Sequence, residues 1–461
     1  MNASKASRHL HGDSRQGCGA AIALLCLSAV ADPARAVEIG LAADLGAGHT
    51  TNIEHSDHDT SATYGLLRLA AGLEAATRTF SADVAVSGTS YQFRGSEYRG
   101  YERVAGWGEI EWSPIPERFS WTVSATSGQV ATDPSDSISY RAAGNGAVFS
   151  TGPVLRQPLP GSNELILRGE VTRSDFGHGY DLTSTTQRSE LEFRHAATPL
   201  RSFSVGARYR DSSEELADQR SNFYVATGYV AFRSIARRSA IDIEVSADRL
   251  SSGGEASRSA GYSITLERFL GKRLRVFGST ERGWRDSADL FSATIDQAAE
   301  TEDTRFLPAS GELFRYRQVR LGIMREGSRM TLNLVGSRGA EQGRVRKEAA
   351  LTALFPLAAR NDLALTVYGS RQREQGSSTR ESADNWAATA RYTWLLGRQL
   401  SLIGAATYVS GDLESAGKFR EKRYALTLRY SFSEAGTSRP VGFDRKYEQS
   451  LEEARREARR N

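Results

Sequence analysis

Cysteine is all but missing from this 461-residue chain. It has two, Cys18 and Cys26, both close to the start. A disulfide framework, a thiolate metal site or a Cys-x-x-Cys redox pair beyond that start is excluded. Methionine is scarce (3), as is proline (11). No apolar run reaches the ~20 residues that a membrane-spanning helix needs. Net charge is missing too. Lys+Arg number 59 and Asp+Glu 55. The first 36 residues carry four basic and two acidic side chains, and residues 436–461 carry seven and five, which leaves the body between balanced at 48 of each. The pI near 9.0 therefore belongs to the two ends and does not indicate a nucleic-acid partner. The sequence has no phosphate loop and no dinucleotide fingerprint.

The first stretch that is present reads as a secretory leader. Lys5, Arg8 and Arg15 precede the apolar run Cys18–Ala31, and Ala34-Arg35-Ala36 is a small-x-small cleavage site that places the mature start at Val37. Leu25, not a small residue, precedes Cys26, which argues against a lipid-modified cysteine. With both cysteines inside the leader, the mature chain carries no thiol.

From Val37 onward the chain alternates. In Tyr424–Phe432, the residues Tyr424, Leu426, Leu428, Tyr430 and Phe432 share one parity and Ala425, Thr427, Arg429 and Ser431 the other. A strand places these on opposite faces. The same pattern recurs in about twenty segments, with 18 or 22 as alternatives. Leu165, Leu167 and Val171 oppose Glu164, Arg168, Glu170 and Thr172. Leu191 and Phe193 oppose Arg188, Glu190, Glu192 and Arg194. Ile241, Ile243 and Val245 oppose Asp242, Glu244 and Asp248. Arg273 and Arg275 are placed on the charged face of a segment spanning 272–285. Connections alternate as well. Thr77-Arg78, Thr198-Pro199-Leu200 and Gly397-Arg398 are short, whereas Thr132–Ala143, Ser212–Arg220, Ser251–Arg258 and Asp286–Glu312 are long and polar.

Short turns on one side, long loops on the other and both ends on the short side describe a transmembrane up-and-down antiparallel β-barrel over residues 37–434. Its apolar face meets lipid, and its charged face, too charged for a dry core, lines a wet lumen. Mean hydropathy (−0.44) is uninformative for such a chain because the two faces cancel. Trp112, Phe119, Trp121, Phe203, Trp284, Trp394, Tyr430 and Phe432 fit interfacial girdles. Tyr424–Phe432 would be the closing strand and carry the assembly signal. Asp286–Leu313 is rich in Asp and Glu, with Arg305 as its cation. It either folds inward as a constriction or stands outside as a solvated flap. Residues 435–461 form a charged, helix-prone periplasmic tail, with Glu452 four before Arg456.

No residues suggest catalysis, a metal or a cofactor. Glu54-His55-Ser56-Asp57-His58-Asp59 has ligand composition without ligand spacing. His195 shares parity with Leu191 and Phe193 at the short-turn end, and His178 has no nucleophile beside it. Val37 leads straight into Glu38-Ile39-Gly40-Leu41, which leaves no room for a plug before the first strand.

Three short stretches carry a resemblance. Gly46-Ala47-Gly48-His49-Thr50-Thr51-Asn52-Ile53 resembles the G-x-G-x-x-x-N-I opening of exosortase/PEP-CTERM-system-associated outer-membrane barrels, with Thr51 where that family has Asp. Trp121…Gly128-Gln129…Asp133-Pro134 and then Val148-Phe149-Ser150-Thr151-Gly152-Pro153 are similar to its W…GQ…DP…VFSTGP stretch, and Tyr180 and Arg188 to the Y…R spacing that follows. The resemblance implies a porin-like barrel linked to exopolysaccharide production or surface-protein sorting, and it supplies no catalytic residues. The alternatives are a closed structural or assembly barrel and an outer-membrane hydrolase. The expected partners are outer-membrane lipid and lipopolysaccharide, the barrel-assembly machinery, and polysaccharide or envelope proteins at the tail. If Phe432 anchors assembly, Phe432→Ala lowers the folded, outer-membrane fraction more than deletion of 436–461 does. Heat-modifiable mobility of membrane extracts measures this, and the reverse order contradicts the assignment.

Overall fold

The computed structural model describes residues 37–53, 60–94, 100–131, 143–176, 182–216, 219–253, 255–285, 305–306, 314–341, 344–374, 382–413 and 417–432. The leader, the tail, His55, His58 and His178 lie outside these residues. Twenty long strands and one two-residue strand follow one another along the chain. They are β1 (Glu38–Thr50), β2 (Ala62–Ala76), β3 (Phe80–Arg94), β4 (Tyr101–Ile115), β5 (Phe119–Ala131), β6 (Ala143–Leu159) and β7 (Asn163–Phe176). Next come β8 (Leu182–Thr198), β9 (Arg201–Leu216), β10 (Gln219–Ala236), β11 (Ser239–Ser252), β12 (Glu255–Phe269), β13 (Leu274–Arg285) and the short β14 (Arg305–Phe306). The chain finishes with β15 (Phe314–Arg325), β16 (Thr331–Glu341), β17 (Arg344–Ala358), β18 (Asn361–Glu374), β19 (Ser382–Leu395), β20 (Leu400–Leu413) and β21 (Gly417–Ser431).

Each long strand pairs antiparallel with the next, and β1 pairs antiparallel with β21, so the sheet closes on itself. Closure leaves no strand edge facing lipid along the apolar belt, which is what a sheet in lipid requires. Twenty strands spaced ~4.8 Å apart and tilted ~40° enclose a ring about 40 Å across. Wall side chains cannot fill a ring of that width, so the interior is a lumen.

The two faces divide as the alternation demands. Leu45, Leu69, Val104, Leu191, Val230, Val245, Leu321 and Leu426 point outward and are exposed. This is the outward apolar belt of a transmembrane barrel. At the short-turn end it is rimmed by Trp112, Trp121, Phe203, Trp394, Tyr430 and Phe432, with Trp112 directly opposite Trp121. At the other end it is rimmed by Tyr209, Tyr224, Trp386 and Tyr424, of which sequence reading named Tyr424 only as part of the closing strand. From Tyr424 to Phe432 is about 27 Å along the strand, or ~20 Å along the axis, comparable to the ~25 Å band of such barrels. Trp284 belongs to neither rim, since it is half-buried and its Nε1 donates to Ser259 Oγ at 3.0 Å.

Two expected loops are strand instead. Ser212–Leu216 and Gln219–Arg220 belong to β9 and β10, and Ser251–Ser252 and Glu255–Arg258 to β11 and β12, with pairing that runs out to Leu216↔Gln219 and Ser252↔Glu255. Above the bilayer both faces are polar, so the alternation of hydropathy fades while backbone pairing persists. Ser212 and Glu214 still face inward there and are buried. The connection after β13 also departs from a simple flap. β4 pairs with β5 only as far as Ser127, leaving the outer end of β5 with a free edge, and Arg305–Phe306 pairs parallel with Val130–Ala131 at that place. This part of the connection therefore reaches across the mouth. Phe306 and Phe314 are eight residues apart and so lie within about 29 Å of each other.

Inward aromatic rings lie flat over glycines of the neighbouring strand. Tyr64 covers Gly48, Tyr229 covers Gly206, Phe277 covers Gly322 and Phe419 covers Gly411. A methyl group at Gly206 would sit 2.6 Å from the Tyr229 ring, whereas one at Gly228 meets open space. Gly206→Ala destabilises the barrel by roughly 1–3 kcal/mol through overpacking, whereas Gly228→Ala is neutral or mildly stabilising. Urea unfolding in lipid vesicles measures the difference.

Candidate functional site: the charged inner wall

Inward positions recur every second residue, so charges two apart on a strand share the lumen with charges directly across the ladder. On β7 and β8 the register sets Arg168 opposite Glu190, Glu170 opposite Arg188 and Glu164 opposite Arg194. The side chains join accordingly. Arg168 Nη1 donates to Glu190 Oε2 at 2.9 Å and to Glu192 Oε2 at 2.7 Å. Arg194 Nε donates to Glu192 Oε1 at 3.0 Å and its guanidinium lies 3.7 Å from Glu164. Arg188 reaches Glu170 at 3.4 Å.

The network continues along the wall, joining the expected Glu244, Asp242 and Arg275 to Arg208, Tyr229, Arg233 and Glu267, which sequence reading missed. Arg208 on β9 donates from Nε to Glu190 at 2.9 Å and from Nη1 and Nη2 to Glu244 on β11 at 2.6 and 2.8 Å. Its guanidinium lies 4.0 Å over the Tyr229 ring, and the Tyr229 hydroxyl donates to Glu190 at 2.6 Å. Arg233 pairs with Asp242 at 2.8 Å and Arg275 with Glu267 at 2.7 Å. Arg208 carried the signal that could have found it, since its parity matches Arg210 and Ser212. Only the register shows that it bridges an acid on β8 and another on β11, across β10. Arg273 departs from the expectation. It lies in the turn before β13 and is exposed, because β13 begins at Leu274.

A second group closes the ring. Asp44 on β1 is directly opposite Arg429 on β21 and Arg68 on β2. It is buried, accepts from Arg429 Nε and Nη2 at 2.8 Å each, and lies 3.9 Å from Arg68. Above it, the Thr50 hydroxyl donates to Glu421, which also accepts from Arg423 Nε at 2.6 Å. Thr51 and Lys422 are joined through Thr51 N to Lys422 O at 3.1 Å and Lys422 N to Thr51 Oγ1 at 3.0 Å. The Gly46–Ile53 stretch is thus the seam between first and last strands. A side chain at Gly46 would strike Thr427 and the Leu426 carbonyl of β21. Trp121 and the Val148–Pro153 stretch also meet, for Trp121 is opposite Pro153 and its Nε1 donates to Thr151 Oγ1 at 2.8 Å. These stretches hold the wall together.

The closing strand places Tyr424, Leu426, Leu428, Tyr430 and Phe432 outward and exposed. Phe432 N donates to Leu41 O at 2.8 Å, and its ring stands edge-on to Tyr430 at 4.6 Å. His195 is exposed and its Nδ1 lies 2.9 Å from Asn163 Oδ1.

One inward row differs from the rest. Near the short-turn end, Glu38 is opposite Glu74, Glu74 opposite Asp83 and Asp83 opposite Glu109, four carboxylates on four adjacent strands. Such a row concentrates mobile cations along one side of the lumen.

No protein-family model and no curated protein matches the sequence. Among solved structures, the chain is similar to the siderophore receptor PirA from Pseudomonas aeruginosa, at 10% identity over 86% of this chain and 80% of that one, with a TM-score of 0.45. It is also similar to the FrpB iron transporter from Neisseria meningitidis (F3-3 variant), at 10% identity over 85% and 81%, with a TM-score of 0.48. Similarity at this level says nothing of what crosses this barrel.

The seam gives a direct test. Asp44→Ala leaves Arg429 without its bidentate acceptor and destabilises the folded barrel by about 2–4 kcal/mol. Asp44→Ala with Arg429→Gln costs less than the two single changes added together. Both are read from urea unfolding in vesicles.

Proposed function

We propose that the chain forms an outer-membrane, porin-like channel that passes small polar solutes or helps polysaccharide cross, in the service of exopolysaccharide production or export or of surface-protein sorting. The observation that carries the channel reading is the charged inner wall. Its arginines and glutamates are spent on one another across the strands, which holds long side chains against the wall and out of the centre. A lumen of this strand count is too wide for wall side chains to fill. The link to exopolysaccharide or sorting rests on the resemblance of Gly46–Ile53 and Val148–Pro153 described above. The leader, with cleavage after Ala36, and the periplasmic tail are part of the same proposal. The reading has no catalytic step and no cofactor.

Paired charges make the pore weakly selective, and the Glu38–Glu74–Asp83–Glu109 row tips it toward cations. A second reading, a closed structural barrel, is favoured by Arg305–Phe306 reaching across the mouth to β5. Planar-bilayer recording separates the two. The open channel gives steady conductance with a small cation preference, and Asp83→Asn with Glu109→Gln moves the reversal potential toward zero. Folded barrel that inserts without conducting contradicts the channel and supports the closed form.

A further inference from the structure

The inner wall between β7 and β13 joins its arginines to acids, but on the outer face one row sets cation directly against cation. On the outward face of β13–β18, beyond the apolar belt on the long-loop side, Arg282 is directly opposite Arg317, Arg338 is opposite Lys347, and Lys347 is opposite Arg371. All are exposed. Directly opposed side chains start only ~5 Å apart, and like charges so placed destabilise a sheet. The acid in this row is Asp384 on β19, which takes both Nε and Nη2 of Arg371 at 2.7 and 2.6 Å. A chain that balances Arg168, Arg188, Arg208 and Arg429 with acids on neighbouring strands leaves this row of cations facing cations.

Its height says what lies against it. Along β15 the outward series runs from Ile323 and Leu321, both exposed apolar residues, through Val319 to Arg317. On β18 it runs from Leu365 and Val367 through Gly369 to Arg371. Trp386, of the outer aromatic rim, is two residues inside Asp384. The cations therefore begin where the hydrocarbon ends, at the level of lipid headgroups. At the same height the cationic face continues onto β11 and β12, where exposed Arg249 is directly opposite exposed Arg258, whereas β9 turns Asp211 and Glu215 outward and β7 sets Asp175 beside Arg173.

We propose that this row is a binding site for a phosphate-bearing glycolipid of the outer leaflet, with Arg317, Arg338 and Lys347 as its principal contacts. Phosphate is the anion that lipid headgroups supply at this depth, and Arg and Lys are its usual partners. The row from Arg338 to Arg371 spans two strand spacings, about 10 Å. That is wider than one phosphate and suits a headgroup that carries two. The bound phosphates offset the like-charge repulsion that the sheet otherwise bears. The site is independent of what passes through the lumen.

The test uses full-length barrel in detergent with lipid A in bisphosphoryl, monophosphoryl and dephosphorylated forms, read by native mass spectrometry. The wild type should bind the bisphosphoryl form at least tenfold more tightly than the dephosphorylated one, and raised salt should reduce the difference. Arg317→Gln, Arg338→Gln and Lys347→Gln together should abolish it, while Arg173→Gln on β7 should leave it intact. Inorganic phosphate in excess should not displace the lipid. Equal binding of all three forms by the wild type overturns the proposal, and this holds even if the triple variant does not fold. Retention of phosphate-dependent binding by a folded triple variant overturns it too, as does full displacement by inorganic phosphate, which would mark a simple anion site.

Discussion

Everything in this structure follows from the backbone hydrogen bond in a medium without water. A peptide group facing hydrocarbon has no partner except another peptide group, so a strand that enters lipid must be paired on both sides. The pairing of β1 with β21 meets that demand for the sheet as a whole. Once the ring is closed, the two-residue repeat fixes which side chains see lipid and which see the lumen. Leu191 and Glu192 differ by one position and by solvent.

Closure also explains the polar contacts of the seam. The seam joins residues nearly the whole chain apart, so it is formed without the help of a short turn. Asp44 held by Arg429, Glu421 held by Thr50 and Arg423, and the close approach of Gly46 to Thr427 compensate for that. The lumen network between β7 and β11 plays a different part. Glu190, Arg208 and Tyr229 bind one another along the wall, and the glycine at 206 leaves room for the Tyr229 ring.

Much of this was legible in the sequence. Tyr424–Phe432 shows its two faces without any structure, and the sorting of short and long connections gives the direction of the strands. The charged faces of β7, β8 and β11 were readable for the same reason, since Asp242 stands between Ile241 and Ile243, Glu192 between Leu191 and Phe193, and Arg168 beside Leu167. What escaped was what depends on register. Arg208 acquires its role from β8 and β11, Tyr229 from β8 and β9, and Asp44 from a strand at the far end of the chain. The outer extensions of β9–β12 escaped because above the bilayer neither face is apolar. Arg273 was misplaced by one residue of strand boundary, the least certain feature of such readings. The Gly46–Ile53 stretch was visible as a motif, but only the closed ring shows it as the seam.

The central claim is that one face of every strand is wet and the other is in lipid. Because residues 37–461 contain no cysteine, single cysteines can be introduced without background. The decisive measurement is labelling of cysteines placed one at a time from Arg188 to Arg194, in barrels reconstituted in vesicles, with a water-soluble, charged maleimide. The account predicts a period of two, with reaction at 188, 190, 192 and 194 and protection at 189, 191 and 193. Uniform labelling, or reaction at Leu191 and Phe193 with protection at Glu190 and Glu192, would contradict it.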